Sequence, residues 1–162
     1  MIEPRLRCSV VLLSCAILAC SAPGVSADGR PSREAAAVAK LTNAERARKR
    51  VAPLQSSPRL MRAAQIHADQ MARLGRLDHE LPRAKYPRAE DRLKAVKYSW
   101  RAWAENVAYG PEDPEAVMRS WMKSKGHRAN ILSSTVTEIG IGHAKDRRGR
   151  VYWVQVFGRP LS

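Results

Sequence analysis

The chain has 162 residues and a formal net charge of +14, because 29 Lys and Arg oppose 15 Asp and Glu. This length fits one ordinary domain, large enough to bury a core without disulfide or metal staples. The excess of positive charge excludes a cation-attracting surface as the main electrostatic feature and favours anionic partners, such as an anionic cell-envelope polymer or a membrane surface.

Residues 1–27 have the layout of a secretory signal peptide. Two arginines precede an apolar run from Cys8 to Cys20, and Val25-Ser26-Ala27 forms a cleavage site. The run is short for a membrane-spanning helix. We therefore predict a secreted protein, extracellular or periplasmic. The alternative is a lipoprotein anchored through Cys20, which ends a sequence similar to a bacterial acylation box.

The three cysteines of the chain all lie within this signal segment: Cys8, Cys15 and Cys20. The mature chain would contain no thiol, although an exported protein reaches an oxidising compartment. We predict that no disulfide braces the fold or links it to a partner protein.

After the signal peptide, residues 28–37 form a polar leader and the start of the first helix, and one domain is predicted over residues 38–160. Val38, Leu41 and Ala44 recur at helical spacing, which predicts a helix from Arg33 to Arg50. Pro53 follows the end of this helix.

A second helix is predicted from Pro58 to Gly75 and has the clearest apolar stripe in the chain. Glycine at its end can adopt the left-handed backbone that terminates helices. His67 lies on the apolar face, and we interpret it as a core histidine that has a hydrogen-bonding partner.

The segment after Gly75 is irregular, with one short helix predicted over residues 90–96. Trp103 to Gly110 mixes strand-forming and small residues, which predicts a short strand. We expect its polar residues, Glu105 and Asn106, to face a cleft.

A further helix begins at Asp113-Pro114-Glu115, where Asp113 is a helix cap and proline takes the first helical position. Trp121 and Ser124 lie on one face of it. Gly126 is predicted to interrupt the helix, and a second short helix restarts at His127. This arrangement holds an imidazole at a junction between helices, where functional side chains are often presented.

Residues 136–144 and 151–157 predict a β-hairpin around a turn that contains Gly149. In the second strand, Trp153 and Val154 point to opposite faces, and both faces are apolar. Such a strand is central in its sheet and covered on both sides. We therefore expect helices on both faces of the sheet.

Taken in order over residues 41–157, these motifs resemble the bacterial, SCP-like branch of the CAP superfamily, the group of cysteine-rich secretory proteins, antigen 5 and pathogenesis-related 1 proteins. The motifs are Asn43-x-x-Arg46, the Leu60 to His79 helix and loop, Glu105 to Ala108, Trp121 to Leu132, Gly140-Ile-Gly142, and Tyr152 to Phe157. The resemblance implies an α+β fold, a three-layer α-β-α sandwich with a small, mainly antiparallel central sheet, and secretion.

By position, His79, Glu105 and His127 match three of the four residues that line the cleft in the superfamily. The fourth, a glutamate in many eukaryotic relatives, is Ser124 here, so the resemblance does not supply an acid pair. Ser124 and Glu138 are second-tier site candidates, and Glu138 is expected to face His127. A serine nucleophile at Ser124 is disfavoured because no Gly-x-Ser-x-Gly elbow surrounds it.

Two backbone positions depart from the family pattern. Arg50 and Lys97 stand where relatives commonly have glycine. If both positions keep a left-handed backbone, each non-glycine side chain costs about 1 kcal/mol.

We predict a binding module rather than a catalyst, with no required cofactor and a lipid, sterol-like or acidic envelope ligand. Its ligand-binding residues would be His79, Glu105, Asn106 and His127. The alternative is a zinc-dependent hydrolase in which His79 and His127 hold zinc or another divalent metal and Glu105 handles protons. Export and the lack of a nucleic-acid-binding motif disfavour nucleic acid as a partner.

Overall fold

The structure of the protein is a computed structural model that describes residues 31–161. The predicted signal peptide over residues 1–27, the alternative lipid anchor at Cys20 and the first residues of the polar leader lie outside the described residues.

The described chain contains helices and strands in the order α1 (Arg33–Arg48), β1 (Gln55–Ser56), α2 (Pro58–Leu74), α3 (Ala89–Ala95), β2 (Trp100–Tyr109), α4 (Pro114–Lys123), α5 (Lys125–Leu132), β3 (Glu138–Lys145) and β4 (Val151–Pro160). The sheet order is β1-β3-β4-β2. Only β1 runs parallel to its neighbour, β3, and the other pairs are antiparallel. The predicted α+β class and mainly antiparallel sheet are confirmed.

β4 is the central strand, as its two apolar faces predicted. Tyr152 and Val154 belong to the core cluster on the α2 side of the sheet. Trp153 and Phe157 belong to the second cluster, with side chains of α1, α4 and α5. The alternation of a strand thus divides one sequence between two cores, which makes the sheet the middle layer of the sandwich.

Glycines let α2 lie directly on β3. A Cβ atom at Gly140 would overlap the main chain of Leu60, and one at Gly142 would overlap the main chain of Ala64. The missing side chains therefore set the distance between helix and sheet, and α2 carries His67 into the core at that fixed depth.

The buried face of α1 differs from the predicted one. Val38, Thr42 and Arg46 are buried, whereas Ala44 is exposed. Arg46 tolerates burial because its guanidinium donates hydrogen bonds to three main-chain carbonyls, which satisfy a charged group away from water. The acceptors are Ala52, Ile131 and Ser133, at 2.7 to 2.8 Å.

The break between α4 and α5 falls two residues earlier than predicted. Ser124 has an extended backbone, with φ −82° and ψ 126°, and is both the last cap of α4 and the first cap of α5. Gly126 lies inside α5. The prediction that Gly126 turns the chain is therefore wrong, although the junction that presents His127 is present.

Both predicted left-handed positions are confirmed, with φ 57° at Arg50 and φ 56° at Lys97. We expect Arg50→Gly to raise the free energy of unfolding by about 1 kcal/mol, because glycine adopts this backbone without a Cβ clash. Urea unfolding measures the change. Lys49→Gly is the matched control: its φ is −103°, so glycine there should destabilise. A lower melting temperature for Arg50→Gly would refute the assignment of strain.

Candidate functional site

Glu105 is the centre of the site. Its side chain is 2% exposed and points from β2 toward the α2 layer. Its Oε1 lies 3.0 Å from His79 Nδ1, and its Oε2 accepts a hydrogen bond of 2.9 Å from Arg92. Burial alone would raise the pKa of this carboxyl, but the His79 hydrogen bond, followed by the charges of His67 and Arg92, outweighs burial and lowers it. Glu105 is therefore a buried carboxylate with both oxygens engaged.

Arg92 was not predicted from the sequence. It lies in α3, its side chain is 1% exposed, and its guanidinium also approaches the main-chain oxygens of His79, Tyr86 and Pro87 at 3.3 to 3.4 Å. The same cation thus neutralises Glu105 and holds the loop that carries His79. No periodic pattern marks this role, because α3 has only seven residues.

His67 also belongs to this site. It is fully buried in α2, and its Nε2 lies 3.6 Å from Glu105 Oε1. Neither ring nitrogen has a hydrogen bond of strict geometry within the described chain. Its polar partners are the Glu105 carboxylate and the main chain of Asp78, so His67 is the partnered core histidine that the sequence predicted. Burial lowers the pKa of His67 to about 4, although the Glu105 charge opposes the shift.

This depressed pKa predicts an acid sensitivity. The ordinary pKa is 6.5 and the folded one about 4, so between these values the unfolded chain binds a proton that the folded chain does not, and stability falls as pH falls. From about pH 7.5 to about pH 5 the loss due to His67 is about 2 kcal/mol. Urea unfolding of wild type and His67→Gln at both pH values should show a shallower dependence in the variant. Equal slopes would contradict the prediction.

His79 and His127 form the exposed part of the site. The His79 side chain is 55% exposed, and its hydrogen bond to Glu105 raises its pKa. His127, half-buried in α5, has its pKa lowered by burial and then by the nearby charge of His79. His79 lies in the loop after α2 and His127 in α5, and the two imidazoles are close enough for the charge of His79 to act on His127.

Asn106, predicted to bind ligand, is completely buried. Its amide nitrogen donates to the main-chain oxygen of His127 at 3.1 Å and to Gln155 at 2.9 Å, and its oxygen accepts from Asn130 at 2.8 Å. Every hydrogen bond of this amide is internal. Asn106 therefore lies behind the site and fixes α5, which carries His127.

The second-tier candidates do not join the cluster. Ser124 lies at the α4–α5 junction, and no hydrogen bond connects its hydroxyl to His127 within the described residues. Glu138 lines a separate pocket with Tyr98, at the start of α2, rather than facing His127. His143 also lies outside the cluster, because its ring packs on Trp153 with ring centres 4.9 Å apart.

The predicted pair of metal ligands, His79 and His127, gains no third protein ligand among the described residues. Over residues 31–161, no group of three or more His, Cys, Asp or Glu side chains is placed to hold a metal ion. The one carboxylate of the site, Glu105, has its oxygens 2.9 Å from Arg92 and 3.0 Å from His79. A guanidinium in that position competes with a cation for the same oxygen.

Within the same described range, no helix has both the length and the apolar character needed to cross a membrane.

A family model and two curated proteins match this chain by sequence. Residues 39–157 match the CAP model, described as the cysteine-rich secretory protein family. The uncharacterized protein YkwD of Bacillus subtilis is 35% identical over 75% of this chain and 46% of its own length. The uncharacterized membrane protein YlbC of the same bacterium is 31% identical over 72% of this chain and 32% of its length. The chain thus spans less than half the length of these curated relatives.

Solved structures share the fold. An extracellular protein of Bacillus anthracis that contains an SCP domain superposes with a TM-score of 0.71 and 26% identity, over 78% of this chain and 40% of that one. An outer surface protein of Borrelia burgdorferi gives a TM-score of 0.69 at 18% identity, over 76% of this chain and 90% of that one. Sequence motifs, fold and converging histidines agree, and the chain belongs to the CAP, or cysteine-rich secretory protein, family.

Proposed function

We propose that this protein is an exported CAP-domain binding module. Its histidine site, formed by His79 and His127 above the buried Glu105, would hold the anionic group of a lipid or of an acidic envelope component. The proposal keeps the family's site and assigns it to binding rather than to turnover.

The state of Glu105 carries this proposal. A general base or a nucleophilic carboxylate needs a free oxygen that reaches the substrate. Both Glu105 oxygens are instead within 3.0 Å of Arg92 or His79, and the side chain is 2% exposed. Ser124 makes no hydrogen bond to His127 in the described structure, so a serine nucleophile has no base. The remaining exposed groups are two imidazoles, which can donate hydrogen bonds.

The charge balance favours an anionic ligand. Arg92 neutralises Glu105, so protonation of His79 gives this group a net positive charge. The hydrogen bond to Glu105 raises the pKa of His79 and thereby favours that protonated form. An anion that approaches His79 and His127 would meet hydrogen-bond donors and an unbalanced positive charge, and it should bind more tightly below neutral pH than above it.

The chain has four histidines, which makes imidazole NMR a site-specific test. Titration with short-chain phosphatidylglycerol should shift the His79 and His127 resonances and leave His143 unchanged. His127→Ala should weaken binding, and raising the pH through the His79 titration should weaken it further. Short-chain phosphatidylcholine is the matched zwitterionic probe. It should bind more weakly than phosphatidylglycerol, and so should an uncharged sterol.

Two results would overturn the proposal. One is the absence of any shift at His79 and His127 with anionic probes. The other is turnover of a peptide or ester panel that His127→Ala abolishes, which would make the site catalytic.

Export is part of the proposal. It is supported by the arginines, apolar run and Val25-Ser26-Ala27 site within residues 1–27, and by the extracellular SCP-domain protein of Bacillus anthracis among the structural neighbours. Mass spectrometry of the exported protein should find Asp28 at the N-terminus. A lipid-modified Cys20 would replace free secretion with membrane anchoring.

A further inference from the structure

We propose that the end of the domain formed by the last turn of α2 and the β3–β4 turn docks on the surface of a bilayer that contains anionic phospholipid. This region, here called the arginine hollow, is a cavity of about 390 Å³ lined by Arg73, Arg147, Arg148 and Arg150, together with Leu74, Gly75 and Asp146. The proposal does not depend on what the histidine site binds, because none of these residues belongs to that site.

The one acidic side chain of the hollow is already neutralised. Asp146 accepts a hydrogen bond of 2.7 Å from Arg150 Nε, and its other oxygen accepts the main-chain N–H groups of Arg148 and Arg150 at 2.9 and 3.0 Å. Asp146 and Arg150 therefore shape the turn and cancel each other's charge. The positive charge that remains belongs to the other arginines.

Arg73, Arg147 and Arg148 are exposed. Over residues 31–161, no acidic side chain lies within ion-pair distance of any of the three. Other surface arginines of the fold do have such partners, for example Arg76 with Asp78 at 2.6 Å. Three unpaired guanidinium groups around one concavity form a local excess of positive charge that suits phosphate oxygens.

Exposed apolar side chains lie in the same hollow and next to it. Of the four large hydrophobic residues that are exposed in the described structure, Leu74 lines the hollow, Leu77 lies just beyond Gly75, and Tyr109 stacks on Tyr152 with ring centres 6.1 Å apart. Arg150 lies 5.9 Å above the Tyr152 ring, which connects the tyrosine pair to the hollow. Basic and exposed apolar groups thus occur together at this end of the domain.

This mixture favours a bilayer over a soluble polyanion. A phosphate-rich polymer would be bound by the arginines alone, and the exposed leucines would gain nothing. At a bilayer surface, arginines bind the headgroup phosphates while leucine and tyrosine side chains enter the boundary with the acyl chains. Each basic residue near an anionic leaflet strengthens partition about fivefold.

The test is partition of the purified protein onto phosphatidylcholine vesicles with and without phosphatidylglycerol. Arg147→Ala/Arg148→Ala should weaken binding to the anionic vesicles about 25-fold, at about fivefold for each arginine. The control, Arg62→Ala/Arg119→Ala, removes the same charge from exposed positions on α2 and α4 and should cost less than about threefold, through long-range attraction only. Leu74→Ser should weaken the binding that persists at high salt. Unchanged melting temperatures establish that all variants fold.

Equal losses in the two arginine pairs would overturn the proposal, because net charge and not the hollow would then control binding. The proposal would also be overturned if Leu74→Ser left vesicle binding intact and soluble polyphosphate abolished that binding by competition. That result would favour a soluble polyanion as the partner. If the vesicle experiment contradicted bilayer docking but anionic probes still shifted the His79 and His127 resonances, the proposed ligand site would remain supported.

Discussion

Replacing Arg92 with alanine is expected to lower the free energy of unfolding by about 3 to 5 kcal/mol. The substitution removes the cation that lies 2.9 Å from Glu105 Oε2 and leaves a carboxylate of 2% exposure with His79 as its remaining partner. It also releases the loop whose main-chain oxygens Arg92 approaches. Urea unfolding at neutral pH measures the loss.

Arg88→Ala is the control for this prediction. Arg88 pairs with Asp91 at 3.5 Å, but its side chain is 63% exposed, so its removal should cost less than about 1 kcal/mol. The Arg92→Ala penalty should also shrink in acid, because Glu105 without its guanidinium partner then becomes protonated and neutral. A loss below about 1 kcal/mol, or one independent of pH, would show that Arg92 does not neutralise Glu105.

Gly140→Ala is expected to cost about 3 kcal/mol or more. The added Cβ would overlap the main chain of Leu60 and Met61, and a helix backbone cannot move aside as a flexible side chain can. α2 would have to lift from β3 and take His67 away from Glu105. Thermal and urea unfolding measure the effect, and the imidazole resonances of the site should shift as well.

Gly126→Ala provides the same chemical change with the opposite expected sign. Gly126 lies inside α5, and a Cβ there meets nothing within 4 Å. Alanine in a helix is favoured over glycine by about 0.5 to 1 kcal/mol, so this variant should be more stable than wild type. Similar destabilisation by both substitutions would show that α2 does not rest directly on the Gly140 main chain.

The sheet and both helical layers were predictable because their signals are local. The alternation of β4 identified the central strand, and the family pattern located the glycine-like backbone at Arg50 and Lys97. The helix boundary at Ser124 was misplaced because glycine often ends a helix, which made Gly126 the expected boundary. Nothing in the sequence indicates that the backbone of Ser124 is extended.

The site was only partly predictable. His79, Glu105 and His127 follow from family positions, but Arg92 becomes a site residue only through tertiary packing, and nothing in the sequence around it indicates burial. One available signal was missed: consecutive strand residues face opposite sides. Because Glu105 points toward the α2 layer, Asn106 points toward the other core, and the two cannot line the same surface.

The central position of β4 also has a consequence for folding. β4 is the last strand of the described chain, yet both β2 and β3 pair with it. Trp100, at the start of β2, pairs with Pro160, which is 60 residues later in the sequence. Neither core closes before residues 151–160 are available, and pairings between such distant segments form slowly. Folding is therefore coupled to completion of the chain through β4, since β2 and β3 have no central partner before that strand is present.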